Sequence, residues 1–263
     1  MKKLTKNVIQ WTKDYFEQNN NGHAIIGISG GKDSTIAAAI LKEAIGVEKI
    51  IAVMMPNGHQ EDIMDSYAVC DFLGIPEYNR YTVNIASAFT ELLGSVFDGS
   101  HIEGAPWVEW RNNANICTNL PSRLRMCTLY TIAPMYLNAR VVNTSNRSER
   151  YIGYSTKFGD GVGDFSIFGN LTVREVLSFG DDLGLPHELV HKGPSDGMSG
   201  KSDEEKIGFT YEELDHYLLG TAEISEETIL KIERLHRINN HKVCQMPTFN
   251  SVDCDSEDDS YED

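Results

Sequence analysis

Apolar and polar positions alternate along this chain in two rhythms. Between Leu4 and Gln18 the apolar residues Leu4, Val8, Ile9, Trp11, Tyr15 and Phe16 recur at the spacing of one helix face, which predicts a covering helix. Short apolar runs at 24–29, 49–54 and 78–83 predict buried strands, and helical patterns at 34–45, 61–73 and 85–97 separate them. The rhythm stops from Asp98 to Thr118, where Gly99, Gly104, Pro106 and Asn112 to Asn115 predict a long surface loop of the kind that serves as a lid. Leu120 to Leu137 then reads as a helix with Pro121 in its first turn, and Ala139 to Asn143 as a fourth strand. A Gly/Ser/Asp-rich stretch from Lys192 to Lys206 reads as mobile, ahead of helices at 211–219 and 225–240. Strands alternating with helices predict an α/β fold, a doubly wound parallel sheet of about five strands with helices on both faces and long loops at its carboxyl edge.

With 263 residues, 41% of them hydrophobic, the chain can bury a sizeable core, and residues 1–249 read as one domain. No apolar stretch approaches the roughly 20 residues needed to span a bilayer, and Met1-Lys2-Lys3 leads into a polar amphipathic segment rather than a signal sequence. The expectation is a cytoplasmic protein with no membrane partner. The five cysteines are dispersed, without a Cys-x-x-Cys pair, and read as reduced thiols rather than a disulfide framework or a zinc site. A net charge of -16 argues against an extended nucleic-acid surface, while a locally positive pocket for a small anion remains compatible with it. Seven acidic and no basic residues in Asn250 to Asp263 predict a disordered, solubilising tail.

The sharpest chemical signal follows the first predicted strand. Gly27-Ile28-Ser29-Gly30-Gly31-Lys32-Asp33-Ser34 turns from a buried strand into a helix, aiming backbone NH groups and the helix dipole at an anion. The spelling is not that of a Walker loop, because Asp33 follows Gly31-Lys32 and Ile26 stands where the first Gly belongs. Nor do Gly27, Gly30 and Gly31 supply the dinucleotide spacing G-x-G-x-x-G. An ordinary glycine-rich turn is the bland alternative.

A second polar group begins where the fourth strand ends, at Thr144-Ser145-Asn146-Arg147-Ser148-Glu149. In an open α/β sheet both strand ends face one crevice, so Glu149 is positioned to share a cation with Asp33, and magnesium prefers one or two carboxylates plus phosphate oxygens. Thr144 and Asn146 also suit helix caps. A third element, Ser155 to Asp164, holds Lys157, Asp160, Asp164 and three glycines and reads as a substrate loop.

The Ser-Gly-Gly-x-Asp-Ser loop resembles that of the N-type ATP pyrophosphatases, of adenine nucleotide α hydrolase-like fold. Taken with Asn119 to Met126, Thr144 and Glu149, Thr156 to Gly161, Gly193-Pro194-Ser195-Asp196 and His241-Lys242, the order of motifs is similar to ammonia-dependent NAD synthetases over roughly residues 1 to 249. The resemblance implies ATP on Gly27 to Ser34, Thr144 and Ser195, and magnesium on Asp33 and Glu149. It implies deamido-NAD on Arg123, Lys157, Asp164, His241 and Lys242, and a homodimer with the dinucleotide at the subunit interface. Lys32 and Asp33 would serve catalysis, with Asp160 or Asp164 taking a proton from ammonia. Free ammonia or a separate amidotransferase would supply nitrogen, since the chain has no length for a glutaminase domain. For Arg123 a solvated helix face, and for His241-Lys242 a helix-end role, stand as alternatives.

Two departures qualify the resemblance. Val173 stands where many relatives have a lysine that reaches ATP, leaving Arg174 or Lys192 to supply that charge, and Met54 or Met55 replaces a strand-end Arg before Pro56-Asn57-Gly58. The competing functions are another N-type pyrophosphatase, for example one that modifies tRNA, and an ATP-binding regulator without turnover.

Overall fold

The structure is a computed structural model that describes residues 1–60, 63–98, 113–191 and 203–249. In chain order it runs α1 (Lys3–Gln18), β1 (Ala24–Gly27), α2 (Lys32–Ile45), β2 (Ile50–Met54), α3 (Ile63–Leu73), β3 (Arg80–Thr82), α4 (Ala86–Asp98), α5 (Ala114–Ile132) and β4 (Arg140–Asn143). There follow α6 (Arg147–Ile152), β5 (Phe165–Ser166), α7 (Val173–Asp182), α8 (His187–Val190), α9 (Asp203–Ile207), α10 (Tyr211–Leu219) and α11 (Glu226–Asn239). The five strands form one parallel sheet in the order β3-β2-β1-β4-β5, as the doubly wound reading expects.

Strand periodicity separates two cores. Ala24 and Ile26 of β1 join Phe16, Ile36 and Ile40 on the face covered by α1 and α2, while Ile25 joins Ile51, Val53, Ile132 and Val141 on the other. Each fully buried side chain of this size contributes about 1.5–3 kcal/mol, so a one-residue register slip would forfeit both cores at once. A third cluster, built from Ile152, Val173, Ile207, Phe209, Tyr211, Leu214 and Ile232, fastens the C-terminal helices to α6 and α7. Buried Asp215 ties the same elements together by accepting from Ser148 Oγ at 2.5 Å and from the Arg174 NH at 2.8 Å.

Two expectations need correction. The loop predicted through Thr118 ends earlier, because the Asn113 side chain accepts from the NH groups of Asn115 and Ile116 and starts α5 at Ala114. Pro121 therefore lies inside α5 and not in its first turn, and α5 ends at Ile132 before a short 3-10 turn. The stretch predicted as mobile through Lys206 becomes helical at Asp203, and the rest of it, like the acidic tail from 250, lies outside the described residues. Among the described residues, no helix is long and apolar enough to cross a membrane.

The connections matter for the site. β1 lies between β2 and β4, so the direction of winding reverses there, and the carboxyl ends of β1 and β4 open on one crevice. Residues 28–31 and 144–146 are the two loops that line it.

Candidate active site

The loop after β1 is held by its own serines. The Gly31 NH donates to Ser29 Oγ at 3.2 Å, Ser34 Oγ donates to the Gly31 carbonyl at 3.1 Å, and the two hydroxyls lie 3.1 Å apart. Ile28 continues the sheet by donating its NH to Val53 O, and Thr35 Oγ1 fastens to the Gly31 carbonyl at 2.8 Å. Gly30 has φ +76°, and a Cβ there would stand 2.7 Å from Asp65 Cβ, so both conformation and space require glycine. Gly31 caps α2 without a side-chain bond, leaving the first NH groups of that helix without a side-chain acceptor from the cap residue.

Beside this cradle stands a cation between carboxylates. Lys32 Nζ lies 3.0 Å from Asp33 Oδ2, with both side chains largely buried. Asn146 Nδ2 donates to Asp33 Oδ1 at 3.4 Å across the crevice, joining the β1 and β4 loops. Asn146 also forms a capping box with Glu149: its NH donates to Glu149 Oε2 at 3.2 Å, and its Oδ1 accepts from the Glu149 NH at 2.9 Å. Burial first, and then the negative charge of Asp33, push the Glu149 carboxyl up to about 8. Burial works against the Lys32 charge, yet Asp33 and Glu149 outweigh it and hold the ammonium above its ordinary range.

Sequence reasoning missed one member of this group. Tyr211, at the start of α10, is buried with Lys32 Nζ 5.9 Å from its ring centroid. In sequence it is simply the first apolar residue of a helical stripe, and only tertiary packing brings it to the cradle. Val173 packs in the same cluster as Tyr211, and Arg174 is exposed. Among the described residues, Lys32 is the ammonium in contact with Asp33. Thr144 is half-buried in the β4 loop, whereas Ser195 and Lys192 lie outside the described residues.

The Gly-Asp loop makes the other side. Ser122 Oγ on α5 donates to Asp160 Oδ1 at 2.7 Å and accepts from the Asp160 NH at 2.9 Å, while the Thr156 NH donates to the same Oδ1. Arg123 Nε donates to the Lys157 carbonyl at 3.2 Å, and Lys157 Nζ stands 5.3 Å from the centroid of exposed Phe158. Lys242 Nζ donates to the Gly153 carbonyl at 2.9 Å and feels the charge of Asp160, although burial lowers its pKa. Exposed His241 contacts the Ile238 carbonyl through Nδ1 at 3.0 Å, the helix-end arrangement. Asp164 does not join the others: it accepts from the Val141 NH at 2.7 Å and from Tyr130 Oη at 3.2 Å, fastening β4 to the segment before β5.

Known proteins match this architecture along nearly its whole length. The family model for NAD synthase matches residues 4–251. The NH3-dependent NAD+ synthetase of Alkaliphilus metalliredigens is 34% identical over 92% of this chain and 96% of its own. That of Carboxydothermus hydrogenoformans is 35% identical over 90% and 93%. Among solved structures, NMN synthetase from Francisella tularensis superposes with a TM-score of 0.80 at 31% identity, over 94% of this chain and 97% of its own. By its sequence and by its sheet, the chain belongs to the NAD synthase family.

Proposed function

We propose that this chain catalyses the ATP-dependent amidation of deamido-NAD to NAD by ammonia, through an acyl-adenylate and with release of AMP and pyrophosphate. The observation that carries the reading is a phosphate cradle joined to one ammonium and two carboxylates at the β1/β4 crevice, in a chain of the NAD synthase family. A nicotinate carboxylate is already ionised at neutral pH and needs no residue to activate it. Its oxygen attacks the α-phosphorus of ATP, the bond from that phosphorus to the bridging oxygen breaks, and pyrophosphate leaves with the electron pair. Ammonia then attacks the acyl carbon, the bond to the AMP oxygen breaks, and the nitrogen loses a proton, which this reading gives to Asp160. Free ammonia or a separate amidotransferase supplies the nitrogen.

Catalysis of this kind is mostly positioning and charge neutralisation. The NH groups at the start of α2, with Ser29 and Ser34, hold the departing pyrophosphate, and Lys32 neutralises part of its charge. Gly27, Ile28 and Thr144 border the nucleotide in this reading, Ser195 is assigned to it by the family resemblance alone, and exposed Arg174 remains a candidate for the outer phosphate. Asp33 and Glu149 fit magnesium: two carboxylates beside a phosphate site are its preferred donors, and a cation would offset the burial and the Asp33 repulsion that raise Glu149. When bound, magnesium supplies charge neutralisation on the phosphate oxygens. Arg123, Lys157, His241 and Lys242 meet the pyrophosphate and carboxylate of the dinucleotide, groups that guanidinium and ammonium recognise. A second copy of the chain completes that side, a reading supported by the exposed apolar Leu92 and Val96 beside Leu120 and Arg123.

A second reading takes nicotinate mononucleotide as the acyl substrate, and the likeness to the NMN synthetase of Francisella tularensis favours it. Both substrates present the same carboxylate and differ in the adenylate half. NAD and pyrophosphate formation from deamido-NAD, ATP, magnesium and ammonium, run against the same assay with nicotinate mononucleotide and with glutamine, tests the proposal. A larger kcat/KM for the mononucleotide would transfer the reading to the second substrate, and no product from either would overturn both.

A further inference from the structure

Among the described residues two buried side-chain oxygens lack a hydrogen-bond partner, Ser66 Oγ and Tyr211 Oη. Both residues border the cradle. The Ser66 backbone lies against Gly30, and Tyr211 carries Lys32 over its ring. An unpaired buried hydroxyl destabilises a folded protein by about 1–3 kcal/mol, so such a group persists where a ligand completes it. Ser66 gives no direction to a ligand beyond its neighbour Gly30, whereas Tyr211 does.

Tyr211 is 6% exposed, and its backbone is held on three sides. Its NH donates to Glu204 Oε1 at 2.9 Å, Thr210 and Glu213 close a capping box around the start of α10, and Asp215 locks that helix to α6 and α7. The ring thus has little freedom to turn its hydroxyl toward another protein acceptor. Asp33, Glu149 and Asp203 act on the hydroxyl electrostatically, yet none accepts from it. Burial first, and then Glu149 and Asp203, keep its proton on far above the ordinary phenol range, so it remains a donor.

We infer that the Tyr211 hydroxyl is a phosphate-binding donor, giving its hydrogen bond to a phosphate oxygen of ATP held on the Ser29–Ser34 cradle beside Lys32. The inference rests on the ATP reading above and adds to it a residue from the far C-terminal part of the chain. Lys32 joins the two: its ammonium lies 3.0 Å from Asp33 Oδ2 and 5.9 Å from the centroid of the Tyr211 ring, so an anion that pairs with Lys32 comes close to Tyr211.

Tyr211→Phe removes the hydroxyl and keeps the ring. The ligand-free variant should melt at the same temperature as the unsubstituted protein or slightly higher, because no protein hydrogen bond is lost. KM for ATP and the inhibition constant of inorganic pyrophosphate should both rise about 10- to 100-fold, the loss expected for a hydrogen bond to a charged oxygen, while KM for deamido-NAD stays within about twofold. A lower ligand-free melting temperature, or an equal rise for both substrates, would mean a structural hydroxyl and overturn the inference. If ATP and pyrophosphate stabilise both proteins equally, the Tyr211 assignment alone falls. If neither ligand stabilises the unsubstituted protein, the cradle reading falls and this inference with it.

Discussion

The phosphate cradle and the Gly-Asp loop lie beside strands of the same sheet, but their charged groups are engaged differently. In the cradle, Lys32 and Asp33 pair with each other, Asn146 reaches across to Asp33, and Glu149 is fixed by a capping box. In the Gly-Asp region, Arg123 and Lys242 donate to main-chain carbonyls, and Lys157 rests near an exposed phenyl ring. The first arrangement sets charge against charge where solvent is scarce and electrostatic energies are large. The second ties cations to neutral acceptors that an anionic ligand can replace. One half is preorganised by the sheet, and the other is completed by what binds to it.

The strongest test of that contrast is Asp33→Asn. It keeps the shape and removes a carboxylate from the preorganised half, so kcat should fall by roughly 10²- to 10³-fold, the scale of losing one fixed electrostatic group. The melting temperature should change by only a few degrees, since Lys32 retains Glu149 as a neighbouring carboxylate. Steady-state kinetics against magnesium concentration would read it, and an unchanged kcat with unchanged magnesium dependence would remove Asp33 from the site.

The same contrast explains what the sequence could disclose. The cradle is local: strand, turn and helix are contiguous from Ala24 to Ile45, so their geometry is legible from spelling alone. The sheet was legible too, because apolar runs of strand length alternate with helical stripes. The α5 boundary was not, because Pro121 ordinarily marks a first turn and here lies within the helix. Asp164 offered a carboxylate in a glycine-rich loop, and only the fold reveals that the Val141 NH and Tyr130 hydroxyl occupy it. Tyr211 was hidden for the opposite reason, since a ring in an apolar stripe gives no sign of where its hydroxyl points.

Glu149 provides a pH test of the crowded half. Its folded pKa is raised above the ordinary carboxyl value to about 8, so the protonated form contributes stability that is fully present below about pH 4.5 and is lost as pH rises through 8. For the ligand-free protein we expect this group to remove roughly 1–2 kcal/mol across that interval, after allowing for partial solvent access. Glu149→Gln should flatten the profile, and magnesium with ATP should restore stability at the alkaline end of the unsubstituted protein. Thermal melts in a pH series measure it, and parallel profiles for the two proteins would show that Glu149 ionises without strain.

In the replaceable half, Arg123→Ala should raise KM for deamido-NAD by about tenfold with little change in KM for ATP, because a charge-assisted bond to ligand is lost and only one exchangeable main-chain bond goes with it. Equal losses for both substrates would mean that Arg123 holds the loop for the whole crevice and would blur the distinction between the halves.

His241→Ala has the smallest expected effect and divides the two readings of that residue. Its ring is exposed and contacts the Ile238 carbonyl at 3.0 Å, where an imidazole satisfies a helix-terminal acceptor. If that is its whole role, the variant loses about 0.3–1 kcal/mol of stability, and KM for deamido-NAD does not move. If the dinucleotide takes the imidazole from Ile238, KM rises several-fold while the melting temperature of the ligand-free protein hardly changes. Neighbouring Lys242 already reaches Gly153 and the field of Asp160, so an anion arriving there would meet an ammonium and an imidazole whose present partners are main-chain carbonyls. A change in KM would therefore extend the ligand-completed half to the end of α11, and a change in stability alone would end it at Lys242.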